Sequence, residues 1–182
     1  MINIFKKKKI RTLFSIAEGE SIAIEEVPDE VFSSKMTGDG IAVIPNQGKI
    51  YSPCNGIINM IAPTKHAIGI ISNDGLEILI HVGIDTFEEN GNNFKIFVHV
   101  NDLVKTGTLL ITYDKDIFVQ KGTNDITMLI ITNQNHYTIS HYYINKYVQL
   151  NSPLIEYKWI DLKNSSLPKQ KYLSTKYRRN HI

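Results

Sequence analysis

Between residues 49 and 81 the chain keeps starting short apolar runs and stopping them. The runs 49–52, 56–61, 66–71 and 76–81 are dense in Ile and Val, and Gly, Pro or Asn separates each from the next. Such runs are too short for a packed helix, and β-branched side chains suit a pleated, half-buried surface. A chain built this way folds as a compact antiparallel sheet system. Two short strands are expected in 11–24, others at 41–44, 147–150 and 154–159, and a continuous apolar strand at 126–132. Residues 103–104 and 109–113 read as a hairpin across 105–108. Gly38-Asp39-Gly40 reads as a turn before its strand, and the His- and Tyr-rich stretch 134–145 as a loop. Helix is confined to a single turn in 28–35 and a short piece in 114–125. The expectation is an all-β antiparallel sandwich or barrel-like fold with little helix.

The run 66–71 and the run 76–81 are joined by Asn73-Asp74-Gly75, which makes them a hairpin. His66 opens the first strand and His81 ends the second, so both fall at the same end. Antiparallel neighbours lie about 5 Å apart, close enough for two imidazoles to touch. One histidine on an apolar strand is an ordinary packed residue. Two together, with Gly83 and Asp85 just beyond, can take and hand on a charged group. Neutral imidazole is a nucleophile near pH 7, and an apolar sheet favours the neutral form. His81 is read as the nucleophile and His66 as the neighbouring donor, with Thr64 able to hold the far side of the His66 ring.

Charge sorts the chain into three stretches. Residues 1–11 carry five basic groups and 163–182 carry six, with no acid in either. The remainder holds nine basic and all eighteen acidic groups. The division expected is a flexible basic leader over 1–11, a domain over 12–161 and a basic tail over 162–182. An acidic body disfavours nucleic acid and favours a positively charged protein partner. The leader allows at most weak contact with a membrane surface. No apolar run approaches the ~20 residues that span a bilayer, and the start of the chain lacks a secretory pattern. The single cysteine, Cys54, cannot form an internal disulfide; it reads as a small packing residue in a cytoplasmic protein.

His81-Val-Gly-Ile-Asp-Thr, preceded by Gly75-Leu-Glu-Ile-Leu-Ile, resembles the active-site signature of the glucose-type enzyme IIA family of the bacterial sugar phosphotransferase system. Glu26-Val-Pro-Asp-Glu-Val-Phe32, Met36-Thr-Gly-Asp-Gly-Ile-Ala42, Ser52-Pro-Cys-Asn-Gly-Ile57 and Thr64-Lys-His-Ala67 resemble further blocks of that family, in order. The likeness covers about residues 15–160 and is looser in the second half. It implies a duplicated, barrel-like β-sandwich, and Ser15-Ile-Ala-Glu-Gly19 and Ser52-Pro-Cys-Asn-Gly56 form a faint Ser-x-x-x-Gly repeat that fits. Ile16 stands where the family usually has Pro. The resemblance implies that His81 accepts a phosphoryl group from the carrier protein HPr, assisted by His66 and Thr64. From His81 the group would pass to the IIB domain of a sugar permease, with no cofactor or metal needed. Asp39, Asp85, Val82 and Phe87 are the residues expected to meet partners, and regulatory target proteins are further candidates.

Two alternatives stand beside this reading. One is a binding protein of the same fold that regulates partners without transferring a group. The other is a zinc peptidase of the lysostaphin-like type, since His81-x-x-x-Asp85 has the spacing of two metal ligands. That site needs a third ligand, usually from a His-x-His pair, which this chain lacks.

Overall fold

The computed structural model describes residues 10–133 and 137–159. These form fourteen strands. They are β1 (Arg11–Phe14), β2 (Gly19–Ala23), β3 (Asp39–Pro45), β4 (Lys49–Tyr51), β5 (Gly56–Ile61), β6 (Ala67–Ser72) and β7 (Glu77–Val82), then β8 (Phe94–Ile96), β9 (Leu103–Val104), β10 (Leu109–Tyr113), β11 (Thr127–Ile131), β12 (Tyr137–Tyr142), β13 (Lys146–Val148) and β14 (Pro153–Trp159). Among the described residues, helix is limited to α1 (Glu30–Ser33), α2 (Lys115–Lys121) and two 3-10 turns, Ile24–Glu26 and Thr86–Glu89. The all-β expectation therefore holds.

Eight strands make one sheet in the order β13-β2-β3-β11-β7-β6-β5-β9, and two three-stranded sheets run β1-β14-β12 and β4-β10-β8. Every pairing is antiparallel. One core joins all three sheets, with Leu13, Ile50, Ile80, Leu110, Leu129 and Ile155 fully buried in it. The large sheet also carries a smaller apolar cluster, where Met128 and Ile130 pack with Ile22, Ile24, Val27 and Phe32. Strand β11 is thus covered on both faces and all five of its residues are buried, which is why it reads as an unbroken apolar run. The roof of the smaller cluster is the segment through α1. Asp29 starts that helix by accepting from the backbone N–H of Val31 at 2.8 Å and of Phe32 at 3.4 Å, an N-cap.

The faint repeat is a structural one. Ser15 Oγ donates to the Ala17 carbonyl at 2.6 Å, and Ser52 Oγ donates to the Cys54 carbonyl at 2.8 Å. The glycine four residues after each serine opens a strand, β2 in one case and β5 in the other. The two turns also bond across to each other: Phe14 N–H donates to the Pro53 carbonyl at 2.9 Å, and Tyr51 N–H to the Ile16 carbonyl at 2.8 Å. Ile16 sits fully buried there.

Three expectations need correction. Strands β9 and β10 do not pair as a hairpin; β9 joins β5 at the edge of the large sheet while β10 pairs with β4 and β8. Both answer local alternation, but the turn between them redirects the chain to a different sheet. The stretch expected to be a loop contains β12, which pairs with β14. Its Tyr residues suit a strand, and its polarity reflects one exposed face. β3 begins at Asp39, inside the expected turn, because Gly40 lets the strand lie against β11: a Cβ there would stand 2.1 Å from the Leu129 carbonyl oxygen. Strand β1 begins at Arg11, the first residue of the stretch expected to hold two short strands, and an ion pair joins Arg11 to Asp74. The rest of the leader and tail lies outside the described residues, apart from Ile10.

Candidate functional site

The β6–β7 hairpin carries the site at its open end. Ala67 pairs with His81, so His66 falls one residue beyond the pair. The Val82 N–H donates to the His66 carbonyl at 2.8 Å and holds the two backbones together there. On the other side His81 pairs with Met128 of β11. Ile80 and Val82 point into the main core, so alternation turns His81 to the opposite face. There its ring lies against Phe32 of α1, with centroids 4.9 Å apart. The His66 ring meets it edge-on, centroids 4.7 Å apart and planes at 69°. The sequence expectation that the two imidazoles touch is met.

Each ring is oriented by a partner two residues away. His81 Nδ1 lies 3.0 Å from the Gly83 carbonyl oxygen. A carbonyl only accepts, so Nδ1 carries the proton and the neutral ring keeps its free lone pair on Nε2. Gly83 can turn its carbonyl back because it sits at φ +75°, a region that favours glycine. A Cβ there would come within 2.3 Å of Thr86 Cγ2 and 2.8 Å of the Asn124 carbonyl oxygen. Thr86 is itself pinned, its hydroxyl donating to the Val82 carbonyl at 2.5 Å. Thr64 Oγ1 lies 2.7 Å from His66 Nδ1. When that hydroxyl donates, the His66 proton resides on Nε2, the ring's outer donor.

Both rings are held neutral. Burial drives the His81 pKa down to about 4, and His66 pushes the same way; the bond to Gly83 and the charge of Asp29 oppose the shift only in part. Burial lowers the His66 pKa as well. A half-buried, neutral imidazole with one fixed proton and one free lone pair can act as a nucleophile at neutral pH.

The other expected residues are scattered around this pair. Asp85 is exposed at φ 56°, at the head of the 3-10 turn Thr86–Glu89. Phe87 on that turn is 55% exposed. Val82 is the exception: it is 0% exposed and its side chain belongs to the core, so it offers no surface to a partner. Its place next to His81 hid the strand alternation that buries it. Asp39 is not free, because Lys35 reaches it at 2.9 Å. Three contributors had no assigned role in the sequence reading. Gly83 supplies the carbonyl, Phe32 the covering ring and Lys35 the ion pair. The His-x-Gly spacing was the available signal for the first; a packing contact across elements leaves no local signal for the others. Among the described residues, no three His, Cys, Asp or Glu side chains converge as a metal ion would require, and no helix is long and apolar enough to cross a membrane. Cys54 is buried, and burial pushes its thiol up to about 12, which keeps it protonated and inert.

A broad antiparallel sheet that offers a neutral histidine beside a second one has the make-up of a protein that carries a group between partners. Residues 11–137 match the family model of the phosphoenolpyruvate-dependent sugar phosphotransferase system, EIIA 1. A solved structure, the glucose permease IIA from Mycoplasma capricolum, superposes with a TM-score of 0.75 at 32% identity, over 81% of this chain and 96% of that one. The chain belongs to the EIIA type-1 family of the sugar phosphotransferase system. It is a phosphocarrier and phosphotransferase component of that system.

Proposed function

We propose that His81 is the residue that carries the phosphoryl group, taking it from phosphorylated HPr on Nε2 and passing it to the IIB domain of a sugar permease. The observation that carries this reading is the bond from His81 Nδ1–H to the Gly83 carbonyl at 3.0 Å. As the P–Nε2 bond forms, the ring gains positive charge, and the Nδ1–H to carbonyl bond stabilises it. The donor's P–N bond breaks at the same time. The donor ring leaves as neutral imidazole when its own second nitrogen is protonated, so no proton crosses between the proteins.

His66 donates from Nε2 to an equatorial oxygen of the moving group, with Thr64 fixing its tautomer. Asp85 and Phe87 line the rim where a cationic, partly apolar partner face would dock, and Asp39 contributes a further acid there. The chain works in the cytoplasm, with its unbalanced basic residues concentrated in 1–11 and 163–182. The test is incubation of the full chain with phosphorylated HPr. Acid-labile label that disappears in His81→Ala and survives a chelator supports transfer. An intact protein that takes no label leaves the regulatory alternative.

A further inference from the structure

The α1 segment lies over the site as a cap, and its own helix is too short to hold it. One turn, Glu30–Ser33, carries Phe32 onto the His81 ring. Immediately after it the backbone turns sharply at Lys35, φ 60°, and the Lys35 N–H donates to the Phe32 carbonyl at 2.9 Å. The Lys35 ammonium then reaches two carboxylates on different elements. Glu25 on the 3-10 turn before α1 lies at 2.7 Å, and Asp39 at the start of β3 at 2.9 Å. The ammonium also stands 5.9 Å from the centre of the Tyr142 ring. Lys35 therefore ties the two flanks of the cap to each other, through Glu25, and to the sheet at the start of β3, through Asp39.

We propose that Lys35 is a positioning residue for phosphoryl transfer: its paired bonds to Glu25 and Asp39 hold the cap down, and so hold Phe32 against the His81 ring. The proposal rests on the reading of His81 as the phosphoryl carrier. The charged and titratable groups facing the cap are Glu25, Asp39 and Tyr142 around Lys35, and His66 and Asp29 around His81. Their electrostatics agree with a clamp. Burial works against the Lys35 charge, yet the bonds to Asp39 and Glu25 raise its pKa. The bond from Lys35 lowers that of Glu25. Burial, then the bond to Asp39, raises the Tyr142 pKa, so the phenol stays neutral beside the pair. A surface ion pair alone contributes little; its effect here comes from where it fastens the chain. Asp39 also gains a second task. A cationic group of a partner that approaches it meets an acid already engaged by Lys35.

The test uses the full chain with Lys35→Met, which keeps the stem and removes the charge, and Lys35→Arg, which keeps the charge. Proton NMR titration of the His81 ring is the principal readout, beside the rate of label transfer from phosphorylated HPr. A loosened cap exposes the ring to water, so Lys35→Met should move the His81 titration up by roughly one pH unit. It should also slow transfer roughly tenfold, and Lys35→Arg should restore both. A folded Lys35→Met protein with the parent His81 titration overturns the proposal, even if HPr binds it less well. Failure of the unsubstituted chain to take label would sink the reading of His81 instead, and the titration would still report on the clamp.

Discussion

At the scale of single residues, the carbonyl of Gly83 decides which nitrogen of His81 is free, and the hydroxyl of Thr64 decides the same for His66. The two imidazoles are chemically alike, so the separate tasks proposed for them come from these partners. His66→Gln should still accept phosphoryl on His81 but pass it to a IIB domain on the order of 100-fold more slowly, since one preorganised donor is lost. Thr64→Val should show the same defect more weakly; equal onward rates for both variants and the parent in a stopped-flow transfer assay would refute the role. The histidine pair was legible in the sequence because a tight turn and two short apolar runs determine which residues face each other. Val82 was misread and Phe32 overlooked because both depend on which side of a strand faces the core, and on what a distant segment lays over it.

At the scale of elements, the site depends on the turn after β7. Gly83→Ala would place a methyl group against pinned Thr86 and the Asn124 carbonyl at a positive φ. The expected loss is at least about 2 kcal/mol in urea denaturation, with loss of phosphoryl acceptance as the carbonyl moves. Parent stability and activity in that variant would show the turn to be slack. The cap over the site depends in turn on Asp29. Asp29→Ala should cost about 1 kcal/mol, and the same denaturation experiment measures it. Elements with strong local signals were read correctly: the β6–β7 hairpin, the two-faced strand β11, the Ser-x-x-x-Gly turns. The pairing of β9 and β10 was not, because sheet partners are chosen by long-range packing, and a two-residue strand such as β9 carries too little pattern to announce its neighbour.

At the scale of the whole molecule, burying a neutral histidine links folding to pH. The His81 pKa is about 4 in the folded chain, against an ordinary value of 6.5. Unfolded chain therefore binds a proton over this interval that the native state refuses, and stability falls as pH falls from 6.5 towards 4. His66 adds in the same direction. The fold should be about 2 kcal/mol less stable at pH 5 than at pH 7.5, and His81→Ala should remove most of that difference. A flat denaturation profile over this range would contradict the burial of the ring. Below this range a second loss is expected at Asp74, where the hairpin tip meets the strands near both ends of the described chain. Its carboxylate accepts from Ser72 at 2.5 Å and from Tyr157 at 3.0 Å and pairs with Arg11. These bonds outweigh the cost of its burial and lower its pKa, so its contribution is present at neutral pH and lost in acid. The proposed phosphoryl acceptor is one atom, His81 Nε2. Phosphorylate the full chain with HPr, then locate the phosphorus by proton–nitrogen and phosphorus NMR at alkaline pH. The expected result is a single phosphohistidine at position 81, with phosphorus on Nε2 and the proton on Nδ1. Phosphorus on Nδ1, or on any other residue, would contradict it.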